Sequence, residues 1–136
     1  MRFANLLTLF AVMLAFKAVA VDPSTVLELP EERFSKWLSH EDFKEFTKWL
    51  DKGGFYPIWL EGQLKDGAEE YRVAFERRPL KGTFYFYYWF DMDEEFYGAR
   101  LKEMTEKDFE QVSLQTFTDE KGQTRYQSIW RKFSKP

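Results

Sequence analysis

The sequence predicts an α+β domain of two tandem strand–helix–strand–strand repeats, an antiparallel sheet packed against two helices. Three observations carry this. Two capped, amphipathic helical stretches each stand among strand-like runs. Short Gly turns join those runs, which favours hairpins over parallel crossovers. The pattern of the first half also recurs, in order, in the second.

The elements follow in chain order. Phe34, Lys36 and Leu38 alternate with Ser35 and Trp37, a weak strand signal. Ser39 with Asp42 three residues on forms a capping box, and Phe43, Phe46, Trp49 and Leu50 recur at helical spacing until Gly53-Gly54. This predicts a helix over about 40–51. Phe55 to Leu60 is apolar and contains helix-hostile Pro57. After the Lys65-Asp66-Gly67 turn, Tyr71 to Phe75 alternates cleanly, so strands are expected near 55–63 and 69–77. Phe84 to Phe90 is an unbroken run of aromatics, the strongest strand signal in the chain, expected over 82–90. Asp91 or Asp93 caps a second helix, about 93–105, carrying Phe96, Tyr97, Leu101 and Met104. Strands near 109–117 and 123–133 flank the Lys121-Gly122 turn and close the set.

The halves, about 30–80 and 81–134, overlay on their aromatics. Phe34 and Trp37 match Phe86 and Trp89, Phe43 matches Phe96, Phe55 matches Phe109, and Gly67, Tyr71 and Phe75 match Gly122, Tyr126 and Trp130. The separation creeps from 52 to 55, which asks for three one-residue insertions.

Ahead of the repeats, Met1–Ala20 reads as a secretory signal peptide. Arg2 precedes an apolar run from Phe3 to Phe16, and Ala18-Val19-Ala20 offers a small-x-small cleavage site after Ala20. The run is shorter than the roughly 20 residues a bilayer span needs. A secreted or periplasmic domain, 21–136, is therefore expected. Removing Arg2 and Lys17 with no acid takes the formal charge from −3 to −5. That balance argues against nucleic acid as a partner. Cysteine is absent, which excludes disulfides, thiol catalysis and Cys-based zinc sites.

Leu38-Ser39-His40-Glu41-Asp42-Phe43, then Gly54-Phe55-Tyr56-Pro57, and later Tyr126-Gln127-Ser128-Ile129-Trp130-Arg131-Lys132, resemble the bacterial tandem repeat domain family. The resemblance covers about residues 34–133. In that family the repeats often accompany hydrolase-type or other enzyme domains of exported bacterial proteins, and no catalytic residues of their own are established. It therefore implies an accessory or binding role. Here Asp108-Phe109 replaces Gly54-Phe55 in the second unit, a departure from the pattern.

Little in the sequence speaks for catalysis. His40 is the single histidine, at a helix start beside a capping Ser, where an exposed turn role is expected. Asp91, Asp93, Glu94 and Glu95 suit a helix N-terminus better than a calcium loop. Glu61, Asp66, Glu69 and Glu70 could supply the paired carboxylates of a small acid-dependent glycosidase, about 5–10 Å apart, which is the alternative reading. Gly53-Gly54 and Gly62 lack phosphate-loop spacing, and Arg77, Arg78 and Lys81 read as a solvated hairpin end. No metal and no cofactor is expected.

The aromatics stand above background. In a strand, Tyr85, Tyr87 and Trp89 share the face opposite Phe84, Phe86, Tyr88 and Phe90. If helices cover one face only, the three rings are free, with Trp59 and Trp130 adding to them. The expected function is a non-catalytic exported module that binds a protein or an envelope polysaccharide there. Burial in a second layer or against another copy of the chain is the competing expectation.

Overall fold

The computed structural model describes residues 33–134; the signal-peptide reading and the Val21–Pro30 leader lie outside them. Two helices and five strands follow one another as α1 (His40–Lys52), β1 (Phe55–Lys65), β2 (Ala68–Arg77), β3 (Thr83–Met92), α2 (Glu94–Glu106), β4 (Glu110–Thr118) and β5 (Thr124–Ser134). The α+β class, both helices and the five later strands read from the sequence are present, whereas the Phe34–Leu38 run forms only two isolated bridges. All strand pairing is antiparallel.

Both helices start where a side-chain oxygen replaces a missing intrahelical acceptor. Ser39 Oγ accepts from the Asp42 N–H at 3.2 Å, and Asp93 Oδ1 from the Phe96 N–H at 2.7 Å. Both end in a left-handed residue, Gly54 at φ 85° and Asp108 at φ 62°. Asp tolerates that region better than most residues. The departure from the Gly-Phe motif therefore leaves the helix stop intact.

The strands form two sheets, β1-β2 and β3-β5-β4. A short edge joins the first through bridges Phe34–Ala74 and Leu38–Tyr71. The first unit thus reads edge-β2-β1, the same order as β3-β5-β4. The register makes the correspondence explicit. Phe34–Ala74 and Leu38–Tyr71 in one unit answer Tyr88–Ile129 and Met92–Tyr126 in the other. A bulge interrupts β1 between Pro57 and Trp59, and β4 between Gln111 and Ser113. The separation is 54 through edge, cap, helix, stop and bulge, and 55 after the hairpin turn. One inserted residue, in the β4–β5 turn, relates the units, rather than three. Phe34, Trp37 and Phe43 consequently answer Tyr88, Asp91 and Tyr97, not Phe86, Trp89 and Phe96.

The expected single sheet is split: β1 packs against β4 and β5 of the second unit without a backbone ladder. A side chain bridges them: the Gln115 carboxamide accepts from Gly62 N–H and donates to Gly62 C=O, both at 2.9 Å. Gln127 donates to Gln115 Oε1 and accepts from the Asp91 N–H, which satisfies the buried amides in series. A Cβ at Gly62 would stand 2.6 Å from Phe117 Cε1, so only Gly fits between the two units. The main core, Phe43, Leu50, Leu60, Tyr71, Val73, Val112 and Ile129, lies at this junction.

Candidate functional site

Strand β3 sends its two faces to different neighbours. On one, Phe84 and Phe86 meet Tyr56 at 4.8 and 5.8 Å, and Phe90 meets Phe43 at 4.7 Å and Tyr71 at 5.0 Å. Tyr88 donates from its hydroxyl to Asp51 Oδ2 of α1 at 3.2 Å. Burial pushes this phenol up to about 12 and also raises the Asp51 carboxyl.

The opposite face is the one α2 packs on. It is not an uncovered sheet face, because the first unit takes the other side. A strip nevertheless stays open, since α2 leans on the central strand β5 more than on the edge strand β3. Tyr85 and Tyr87 are 50% and 48% exposed. Trp89 is half-buried and stacks parallel to Tyr87 at 5.9 Å. The Arg100 guanidinium lies 5.5 Å over Trp89 and 4.9 Å over exposed Phe96. Phe109 meets Tyr87 edge-on at 5.4 Å. The strip is thus a ladder, Phe109–Tyr87–Trp89–Arg100–Phe96. Phe96 and Arg100 were not singled out by the sequence pattern as part of it; their helical spacing from Asp93 is the signal that places them beside β3.

Trp59 and Trp130 do not join this strip. Trp130 sits opposite Tyr87 on β5 but is only 1% exposed, and its indole N–H donates to Ser128 Oγ at 3.0 Å. Trp59 is buried in a second core cluster with Tyr56, Ile58 and Ala74, its N–H donating to Glu61 Oε2. Trp130 lies on the central strand β5 and Trp59 is covered by its core cluster, whereas Tyr85 and Tyr87 stand on the outer edge strand β3.

A second cluster lies where the units meet. His40 Nε2 stands 3.3 Å from Asp91 Oδ2, and Arg125 Nε stands 3.4 Å from Asp91 Oδ1 and 3.1 Å from Asp119 Oδ2. His40 is therefore more than a turn residue. Asp91 takes a left-handed φ of 58° in the β3 bulge, which aims its carboxylate at this junction. The two carboxylates share Arg125, whose Nε lies within 3.4 Å of both, a pair of acids of the kind a glycosidase reading asks for. Their electrostatics point the other way. Backbone N–H bonds from Gln123 and Lys121, with Arg125, hold the Asp119 carboxyl below its ordinary value. A general acid needs the reverse shift. Tyr71, raised by burial and the Asp91 charge, stays protonated and donates to Glu69 at 2.9 Å. Ser39 Oγ serves the helix cap. Glu61 is ion-paired with Arg72 at 2.8 Å. Among the described residues no three His, Asp or Glu side chains are grouped to hold a metal ion, and no helix is long and apolar enough to cross a membrane.

Comparison with known proteins bears on the second unit. A family described as a polyglycine hydrolase-like structural repeat matches residues 86–133, from within β3 almost to the end of β5. This part of the chain is similar to a structural repeat, and the 54-residue correspondence carries the same plan back to Phe34. No match was found among curated proteins.

Proposed function

We propose that the chain is an exported, non-catalytic repeat module that binds a protein partner through the β3 strip. One observation carries the reading: Tyr85 and Tyr87 stand half out of solvent on an edge strand, in line with Trp89, Arg100 and Phe96. Tyr, Trp and Arg are the side chains that dominate binding energy at protein interfaces, at about 2 kcal/mol or more each when fully desolvated. The geometry favours protein over polysaccharide. Sugars stack on open ring faces, whereas the facing sides of Tyr87 and Trp89 are turned to each other and Arg100 lies over Trp89. What the strip offers is ring edges, hydroxyls and a guanidinium. Export rests on the Met1–Ala20 pattern.

The second reading, a small acid-dependent hydrolase, draws on the Asp91–Asp119 proximity and is weakened by the shared arginine. The test compares wild type with a Tyr85→Ala/Tyr87→Ala double variant in capture from the exported protein fraction and on a glycan array. The expected result is at least a tenfold loss of protein capture with an unchanged Tm. Unchanged capture would refute the strip. Loss of glycan binding alone would move the reading to polysaccharide, and turnover of a bound glycan would revive the hydrolase.

A further inference from the structure

The strands leave few free edges. β1 and β4 are outer strands of their sheets, and they pack against each other. β2 is flanked by β1 and the Phe34–Leu38 edge, and β5 by β3 and β4. β3 differs. It pairs with β5 alone, and among the described residues its backbone bonds to the backbone of no other element. Burial agrees: β1, β2, β4 and β5 each have a run of buried residues, while β3 has none before Met92.

Native edge strands are normally guarded by a Lys, a Pro or an inward charge. From Thr83 to Trp89, where the pairing with β5 runs unbroken, β3 has none of these. Asp91, its one charge, lies in the bulge and is held by His40 and Arg125. What remains is a row of outward N–H and C=O groups beside exposed Tyr85 and Tyr87. Only another extended segment satisfies such a row along its length.

The charges beside the rings set the chemistry of that segment. Arg100, Lys107 and Lys132 stand along the strip, with Lys132 Nζ 5.8 Å over Phe109 and donating to Lys107 C=O at 3.0 Å. Glu103 is shared between Arg100 at 3.3 Å and Lys107 at 3.1 Å, so the balance there is positive. The chain as a whole is formally −3. A second copy paired antiparallel through the same edge would bring two such cation sets side by side, which disfavours it as the occupant.

We infer that the partner presents an extended, acidic segment that adds to β3 as a further strand, its alternate side chains lying among Tyr85, Tyr87, Arg100 and Lys132. This rests on the proposed protein-binding role of the strip and deepens it. Backbone pairing sets the register, the rings supply contact area, and the cations select the sign of the charge.

The probe is a blocked octapeptide of alternating Glu and Val, titrated into the purified chain and followed through its backbone amide resonances. At about 1 mM even a weak specific contact is populated. Shifts are expected along Thr83–Trp89. Only alternate residues of an added strand turn their N–H groups towards β3. Methylating the amide nitrogens of one alternate set should therefore abolish binding, and methylating the other set should spare it. The Lys–Val counterpart is expected to bind at least tenfold more weakly. No shift along β3, equal effects of the two methylated forms, or a Lys–Val peptide that binds as well would each overturn the inference. Shifts along β3 that grow with protein concentration in the absence of peptide would also overturn it, and would assign the edge to a second copy. If the Tyr85→Ala/Tyr87→Ala variant loses protein capture while the wild type ignores the octapeptide, the strip stands and strand addition falls.

Discussion

Helices α1 and α2 are equal in length, cap, stop and position, yet α1 buries Phe43, Thr47 and Leu50 while α2 buries only Met104. The same contrast runs through the strands. In the first unit Phe75 is half-buried on β2 and Ser35 stands on the edge beside it; in the second, Trp130 and Trp89 take those positions. A cavity of about 380 Å³ lined by Phe34, Ser35, Leu38, Phe46 and Phe75 marks the space in the first unit. At the matching place in the second, two indoles and Arg100 fill it. The lesson is that the repeat conserves chain path and lets each unit solve its packing separately. The first unit covers the outer side of its helix with the second unit and leaves space beneath it; the second unit fills the space beneath its helix with larger side chains and leaves Leu101 and Thr105 of its outer side exposed.

The sharpest way to break this comparison is to empty the second solution. Trp130→Ala removes a fully buried indole from the central strand and leaves Ser128 Oγ without its donor. The expected loss is about 3–5 kcal/mol. Phe75→Ala, the matching change in the first unit, removes a ring that already borders open space and should cost about 1–3 kcal/mol. Urea unfolding of both variants measures the gap. Equal losses would mean that the two helix faces are packed alike after all.

Next in size is Gly62, which the first unit owes to its neighbour. Its counterpart is Thr116, a residue with a full side chain, so nothing in the repeat plan demands glycine there. The demand comes from Phe117 and Tyr71, whose ring atoms would lie within 2.9 Å of an added Cβ. Gly62→Ala should cost about 1–3 kcal/mol by overpacking. Phe117→Leu should recover part of this in the double variant, which a double-mutant cycle reads as coupling. Additive losses would show that the glycine serves β1 alone.

These same residues divide what the sequence discloses from what it withholds. Ser39, Asp93, Gly53 and the aromatic run of β3 act on their immediate neighbours, and each marks its element within a residue or two. The spacing of the repeat is legible in principle through the two caps, which stand 54 apart. Matching aromatic to aromatic misplaces it, because Trp37 and Asp91 share a position while serving different partners. The candidate site is half legible for the same reason. Alternation along β3 puts Tyr85, Tyr87 and Trp89 on one side. Whether a ring there is exposed depends on where α2 leans and on which strand is central, and neither is written in any local pattern. Trp59 and Trp130 have the composition of a binding surface and the environment of a core.

The smallest expected effect concerns the one insertion that separates the units, in the β4–β5 turn. The first unit turns through Asp66 and Gly67, both at positive φ, and needs no side chain to hold the hairpin. The longer turn of the second is held by Asp119. Its Oδ1 accepts from Lys121 N–H at 2.9 Å and Gln123 N–H at 2.8 Å, and its Oδ2 from Arg125 at 3.1 Å. The Gln123 bond is the leading reason the carboxyl sits below its ordinary value of 3.8, followed by Lys121 and Arg125. A carboxyl depressed in the folded state contributes stability that is complete above its unfolded value and is lost as pH falls through the folded one. The wild type should therefore lose this increment below about pH 4. Asp119→Asn keeps an oxygen for the two backbone donors but has no proton to take up, so it should be slightly less stable at neutral pH. The difference from wild type should shrink as the solution is acidified. Tm measured from pH 7 down to pH 3 for both chains decides it, and a gap that widens on acidification would show that Asp119 does not hold the longer turn by its charge.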